Sequence, residues 1–148
     1  KNTYILISPN NFSDQFIDKL SCEDVELLEK YASSYAILHC NSSYPTKDEE
    51  INLNIIPMLK ERYDCIVGYS GHEYDLEPTV IAVALGAKII ERHITLSHEM
   101  WGTDQKASLE VHAMDLLRKR IEDVIFMLGG DEKIITESEK KVMQKLRL

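Results

Sequence analysis

Residues 64–95 have the sequence DCIVGYSGHEYDLEPTVIAVALGAKIIERHIT. An apolar run ending at Ser70 comes first, the apolar stretch Glu77 to Leu85 follows, and a second apolar run covers Lys88 to Thr95. These lengths predict a strand, a helix and a second strand, and Gly86 is a good stop for the helix. A strand–helix–strand unit of this kind joins two parallel strands.

The same alternation extends to both sides of this unit. It predicts strands at Tyr4 to Ser8 and Tyr35 to Cys40, and helices at Phe12 to Leu20, Cys22 to Ala32, Lys47 to Tyr63 (ended or kinked at Pro57) and Leu109 to Leu128 (capped by Ser108). Four such units predict an α/β fold with a parallel sheet, either an open doubly wound sheet or part of a (β/α)8 barrel. No glycine-rich nucleotide-binding motif follows any strand, which disfavours a nucleotide-binding sheet.

The bulk composition is that of an ordinary soluble domain. The 148 residues are 44% apolar and 28% charged, and the net charge of -8 disfavours sequence-independent binding of nucleic acid. No apolar stretch is long enough to span a membrane, and no secretory signal peptide is recognised. The three cysteines are widely spaced, which favours a reducing, cytoplasmic environment over a disulfide framework.

Polar side chains collect where the predicted strands end. They are Ser8 after the first strand, His39, Asn41, Ser42 and Tyr44 after the second, Ser70 and His72 after the third, and Glu91, Arg92, His93 and Asp104 in or after the fourth. The carboxyl ends of parallel strands lie on one side of a sheet, and in barrels that side holds the active site. This shared position predicts a functional site there.

His72 and His93 are the best metal-ligand candidates among these residues. They follow sequential strands and should therefore be neighbours, and neutral imidazole is a ligand for zinc, manganese or iron. The alternative is that one is a buried core histidine and the other a loop donor.

The remaining candidates also have two interpretations each. Ser42 and Ser70 could bind a phosphate or serve as ordinary turn and cap residues. Tyr44 could contact a sugar or pack within its loop. Asp104 follows a turn at Gly102, and on its own it would be a solvated acid.

Four other residues, two of them at the strand ends, are given structural roles. His39 lies inside an apolar run and is interpreted as a core histidine, or one that supports the site from behind, whereas His98 and His112 are expected to face solvent. Arg92 has apolar neighbours, so we expect it to be partly buried and paired with Glu91 or with an adjacent helix.

Four motifs, in order, resemble the N-acetylneuraminate (sialic acid) synthase family. They are LHCNSSYPT (38–46), VGYSGHE (67–73), AVALGAKIIERHITL (82–96) and MWGTDQKASLE (100–110). The resemblance implies a (β/α)8 barrel, with this chain beginning at about the fifth strand and lacking the antifreeze-like domain that follows the barrel. On that basis residues 1–130 form a half-barrel of four βα units, and residues 131–148 a charged tail.

The resemblance also implies a reaction and roles for six residues. His72 and His93 would hold a divalent metal, usually manganese, acting as a Lewis acid on the sugar aldehyde. Ser42 and Ser70 would lie near the phosphate and carboxylate of phosphoenolpyruvate, and Tyr44 and Asp104 near an N-acyl sugar. C3 of phosphoenolpyruvate would bond to the aldehyde carbon, water would add at C2, and phosphate would leave with C–O cleavage.

Several functions remain open within this resemblance. The substrate can be N-acetylmannosamine, or the precursor of legionaminic acid, pseudaminic acid or a 9-phosphate product. The chain can also be a non-catalytic half-barrel that binds metal or sugar without turnover. We expect it to associate as a homodimer or with a separate amino-terminal half, because a half-barrel exposes unpaired strand edges.

Overall fold

A computed structural model of the protein describes residues 4–7 and 34–146, with side chains from Ala36 onward. The predicted helices Phe12 to Leu20 and Cys22 to Ala32 lie outside the described residues, and so does Ser8. No helix in the described part of the chain is long and apolar enough to cross a membrane.

The centre of the fold is a four-stranded parallel sheet. Its strands are β1 (Tyr4–Ile7), β2 (Ser34–Cys40), β3 (Ile66–Gly71) and β4 (Ile89–Arg92), and they are ordered as they occur in the chain. Sequential parallel strands joined by helices are the arrangement of consecutive units in a (β/α)8 barrel, whereas a doubly wound sheet changes direction. The predicted α/β class and parallel sheet are confirmed.

The helix predicted from Lys47 to Tyr63 is shorter than expected. A 3₁₀ turn spans Asp48–Glu50, Asn52 adopts a positive φ of 51°, and helix α1 covers only Ile55–Arg62. Pro57 therefore lies in the first turn of α1, where its missing N–H removes no helical hydrogen bond. The prediction that Pro57 ends or kinks a helix was wrong, because the helix begins only two residues before it, at Ile55.

Helix α2 (Glu77–Ala84) confirms its prediction, and Gly86 ends it with a φ of 104°. A non-glycine residue is strained in that conformation, which explains why glycine stops the helix there.

The fourth strand and the last predicted helix differ from expectation. The strand predicted as continuous from Lys88 to Thr95 divides at His93, and its second part, β5 (Ile94–Thr95), pairs in parallel with β6 (Leu109–Glu110). Helix α3 consequently begins at Val111 and ends at Leu128. The predicted cap at Ser108 was wrong, because its hydroxyl donates to the carbonyl of Asp104, 2.8 Å away. Residues 109 and 110 are held by the second sheet and not by the helix.

The helices cover one face of the main sheet. The largest buried cluster combines strand residues with residues of α1 and α2: Ile37, Val67, Tyr69, Ile56, Leu59 and Ala82. A second cluster joins Leu76, Leu109 and Leu117 where α2 meets α3.

The opposite face of the main sheet carries the register partners Leu38, Gly68 and Ile89. A Cβ at Gly68 would lie 2.7 Å from the carbonyl oxygen of Ile89, so glycine permits this close approach.

Helix α4 (Glu137–Leu146) follows the tail residue Thr136 and has no buried residues. The charged tail of residues 131–148 therefore contains a helix.

Candidate active site at the carboxyl edge of the sheet

Three polar side chains lie side by side at the carboxyl ends of β2, β3 and β4. Cys40 is the register partner of Ser70, and Ser70 is the partner of Glu91, so all three project from the same face of the sheet. The Ser70 hydroxyl is buried and donates to Oε1 of Glu91, 2.6 Å away. This bond fixes the Glu91 carboxylate at the edge of the sheet.

The two candidate metal-binding histidines lie side by side at this edge. His72 directly follows β3, and His93 lies between β4 and β5. Their ring centroids are 5.1 Å apart with an angle of 71° between the ring planes. The backbone at His93 is held by a hydrogen bond from Leu109 N–H to its carbonyl, at 2.8 Å. The predicted proximity of the two rings is confirmed.

His72 is buried, and its hydrogen bonds define which ring nitrogen is available. Its Nδ1 lies 2.7 Å from the carbonyl oxygen of Asn41, which can only accept a hydrogen bond. Nδ1 therefore carries the proton, and the lone pair of the neutral ring is on Nε2. Burial lowers the pKa of His72, but hydrogen bonds with Cys40 and the Asn41 carbonyl, together with negative charge on Cys40 and Glu73, raise the pKa overall.

Tyr44 lies over both histidines. Its ring centroid is 4.2 Å from that of His72 and 5.5 Å from that of His93. Its loop is anchored by a hydrogen bond from Thr46 N–H to the His72 carbonyl, at 3.0 Å. The side chain thus packs on the histidines and keeps 40% of its surface exposed. Both interpretations of Tyr44 agree with this position, because it packs within its loop and still presents a surface to a ligand.

Two carboxylates act electrostatically on Tyr44. Burial is the largest effect raising the pKa of its hydroxyl, and negative charge on Cys40, Asp104 and Glu91 raises it further. Asp104 itself lies in the loop that follows β5. Its Oδ1 accepts a hydrogen bond from the Thr103 hydroxyl at 2.7 Å, and Gly102 makes the preceding turn with a φ of 149°.

Ser42 is half-buried in the loop that carries Tyr44. The structure therefore brings His72, His93, Tyr44 and Ser70 to one edge, with Ser42 in the adjoining loop and Asp104 in the loop that follows β5.

The prediction for Arg92 was right about burial and about an adjacent helix, and wrong about Glu91. Arg92 pairs with Glu73 at 2.7 Å, and its Nη1 donates to the hydroxyl of Thr79 in α2 at 2.9 Å. Residues 91 and 92 are consecutive in a strand, so their side chains point to opposite faces. That alternation was the signal that could have excluded the Glu91 pair. Sequence reasoning assigned no role to Glu73, and considered Glu91 only as part of the polar group and as a partner of Arg92.

The other three histidines contact different groups. Nε2 of His39 is 2.6 Å from the Ile51 carbonyl, and its ring faces Tyr69 at 6.0 Å, as a core histidine would. His112 is exposed as predicted, but His98 is half-buried, with Nε2 2.8 Å from the Ser108 carbonyl, so that prediction was wrong.

Comparisons with known proteins agree with these motifs. The chain is 40% identical over 126 residues to an uncharacterized protein of Methanocaldococcus jannaschii, covering 84% of this chain and 37% of that protein. It is 38% identical over 111 residues to the N,N'-diacetyllegionaminic acid synthase of Campylobacter jejuni, covering 75% of this chain and 33% of that enzyme. The chain thus spans about a third of the length of these curated relatives.

Among solved structures, the N-acetylneuraminic acid synthetase of Leptospira borgpetersenii superposes with a TM-score of 0.80 at 31% identity, over 96% of this chain and 48% of that one. The model of the NeuB family matches residues 20–133. This match covers most of the chain, including all four motifs at the sheet edge. The chain therefore belongs to the NeuB family, whose members similar to it include synthases of sialic and legionaminic acids.

Proposed function

We propose that this chain forms part of the active site of a synthase that condenses phosphoenolpyruvate with N-acetylmannosamine to give N-acetylneuraminate and phosphate. The observation that carries the proposal is the pair of His72 and His93 rings, 5.1 Å apart beneath Tyr44 at the carboxyl edge of a parallel sheet. The similarity to a solved N-acetylneuraminic acid synthetase supports it.

The donor set at this edge fits a divalent cation such as Mn²⁺ with an open coordination sphere. His72 offers the lone pair of Nε2, because its Nδ1 is used by the Asn41 carbonyl, and His93 offers a second imidazole. Within residues 34–146, no group of three or more His, Cys, Asp or Glu side chains could hold a metal ion. When bound, the cation supplies Lewis-acid polarisation of the sugar aldehyde.

The other side chains position the two substrates in this proposal. Ser42 and Ser70 lie near the anionic groups of phosphoenolpyruvate at the ends of β2 and β3, where the Ser70 hydroxyl proton is donated to Glu91. Asp104 accepts hydrogen bonds from sugar hydroxyls, and the exposed surface of Tyr44 covers the sugar. The Glu91 carboxylate, held by Ser70, is placed to accept a proton from the water that adds at C2.

A related sugar acid is the second candidate product. The relative from Campylobacter jejuni is an N,N'-diacetyllegionaminic acid synthase and is 38% identical, so the same edge can serve a differently substituted sugar. Pseudaminic acid and 9-phosphate products belong to the same class of reaction. The choice between them depends on the sugar pocket and not on the histidine pair.

The test is phosphate release from phosphoenolpyruvate with Mn²⁺ and each candidate sugar, with and without a supplied amino-terminal half of a family barrel. We expect release only with Mn²⁺, and a loss of at least about 100-fold in His72→Ala and His93→Ala, because both rings contact the cation. The exposed His112→Ala is the matched control and should retain full activity.

Two results would contradict this proposal. Unchanged phosphate release in both histidine variants would show that the two histidines take no part in the reaction. Binding of Mn²⁺ and sugar without release under any condition would instead identify a non-catalytic half-barrel.

A further inference from the structure

A buried ion pair lies directly behind the two histidines. The side chains of Glu73 and Arg92 are 0% and 1% exposed, and Nη1 of Arg92 is 2.7 Å from Oε1 of Glu73. The same carboxylate accepts hydrogen bonds from the hydroxyls of Tyr69, at 2.7 Å, and Thr79, at 3.1 Å. Its acceptor positions are thus used by three different donors.

The pair links the two segments that carry the histidines. Glu73 follows His72 in the chain, and Arg92 precedes His93. Nη2 of Arg92 also donates to the main-chain carbonyl of Glu73, and Nη1 donates to the carbonyl of Asp75 at 3.2 Å. The guanidinium therefore holds the backbone next to His72 from a position next to His93. A planar, five-donor group can make these bonds simultaneously, whereas an apolar side chain cannot.

Two features around the ion pair indicate that it is not optimised for stability. A Cβ at Gly71 would lie 2.7 and 2.8 Å from the two carboxylate oxygens of Glu73, so the carboxylate occupies space that only glycine leaves free. Arg92 Nε is one of two buried side-chain polar atoms without a hydrogen-bond partner among the described residues. Buried ion pairs contribute little stability compared with apolar side chains of similar volume. A contribution to geometry explains the pair better than a contribution to stability.

We propose that Glu73 and Arg92 are positioning residues that set the separation and orientation of the His72 and His93 rings. The part of this inference that concerns the cation rests on the proposed function. The part that concerns the rings does not, because it applies to the metal-free protein.

The decisive variant is Glu73→Leu/Arg92→Met, which removes both charges together and keeps the volume filled. Such replacements commonly preserve stability, so we expect cooperative unfolding with a midpoint within about 5 °C of the parent. In the metal-free parent, ring protons of His72 and His93 should show a nuclear Overhauser effect, because their centroids are 5.1 Å apart. The double variant should lose this effect and bind Mn²⁺ about 10- to 100-fold more weakly by calorimetry.

The matched control is Glu122→Leu/Arg118→Met, which removes the exposed ion pair of α3. It changes the same residue types with the same net charge, and should alter neither the ring contact nor Mn²⁺ affinity. A folded Glu73→Leu/Arg92→Met protein with the parent's ring contact and affinity would overturn the proposal. If the parent shows the ring contact but binds no Mn²⁺, the proposed function fails while the loss of contact in the double variant still supports positioning.

A second variant covers the case in which the double variant does not fold. Arg92→Lys retains the charge, but its ammonium lacks the planar fork that reaches both the carboxylate and the carbonyl of Glu73. We expect it to fold, with a weaker ring contact and reduced Mn²⁺ affinity. Failure of Arg92→Lys to fold would mean that the pair serves stability, and would overturn the positioning role.

Discussion

At the residue scale, hydrogen bonds from neighbouring groups determine the tautomer and the position of the side chains in the site. The Asn41 carbonyl fixes the tautomer of His72, and the Ser70 hydroxyl holds the Glu91 carboxylate. Asp104 lacks such a partner among the residues of the sheet and is held by Thr103 in its own loop. Its carboxylate is thus held within its own loop, although its negative charge raises the pKa of the Tyr44 hydroxyl.

Replacing Asp104 by Asn should weaken use of the sugar and leave Mn²⁺ content unchanged. A charged acceptor for a sugar hydroxyl contributes about 1.5–3 kcal/mol, so kcat/KM for the sugar should fall roughly 10- to 100-fold in the complemented enzyme. Steady-state kinetics and metal analysis of the same preparation provide the measurement. Glu99→Gln, an exposed change in the same loop, is the control. Loss of metal with normal sugar kinetics would instead make Asp104 a ligand.

At the element scale, the tail helix α4 depends on local interactions. It has no buried residues, and an isolated helix of this length is marginally stable in water. Its first turn carries a capping box, in which Thr136 N–H donates to Glu139 Oε2 at 2.7 Å and Glu139 N–H donates to the Thr136 hydroxyl at 3.3 Å. These bonds, more than tertiary packing, should decide whether the helix forms.

The capping box makes the helicity of α4 sensitive to acid. The hydrogen bonds from the backbone and hydroxyl of Thr136, aided by Lys133, lower the pKa of Glu139 from its ordinary 4.5 to about 2. A lowered pKa in the folded state means that the stabilisation is complete above the ordinary value and is lost as pH falls through about 2. Amide exchange of residues 137–140 between these limits should show the loss. Glu139→Gln should remove this pH dependence, whereas the exposed Glu132→Gln should not.

At the scale of the whole molecule, the described part of the chain presents several large apolar side chains to solvent. Phe126 and Met127 near the end of α3 are 88% and 72% exposed, and Trp101 in the loop after β5 is 99% exposed. Within the described residues, the main sheet also ends at β4, whose outer edge pairs with no further strand. Exposed apolar groups and an open sheet edge both favour association.

We therefore expect the isolated chain to associate with itself. Light scattering over a dilution series should give a mass above that of one chain, decreasing toward it only at the lowest concentrations. Addition of a complementary amino-terminal half should replace the self-association by a complex of defined stoichiometry. A compact monomer at every concentration would contradict this expectation.

Local patterns in the sequence determined the alternation of strands and helices, the stop at Gly86 and the strand ends that carry the site. Each depends on periodicity or on the conformation of a single residue, and both are encoded over a few neighbouring positions. The four motifs likewise identified the family, since they lie within the segment that its model matches.

Only the tertiary structure decided which groups within that frame meet. It paired Arg92 with Glu73, 19 positions away, and divided the fourth strand at His93 so that its second part joins β6. It also began α1 after the positive φ of Asn52. The physical reason is that strand register and loop path bring distant residues together, and neither depends on the local pattern. The sequence therefore located the edge of the site, and the fold determined the geometry behind the two histidines.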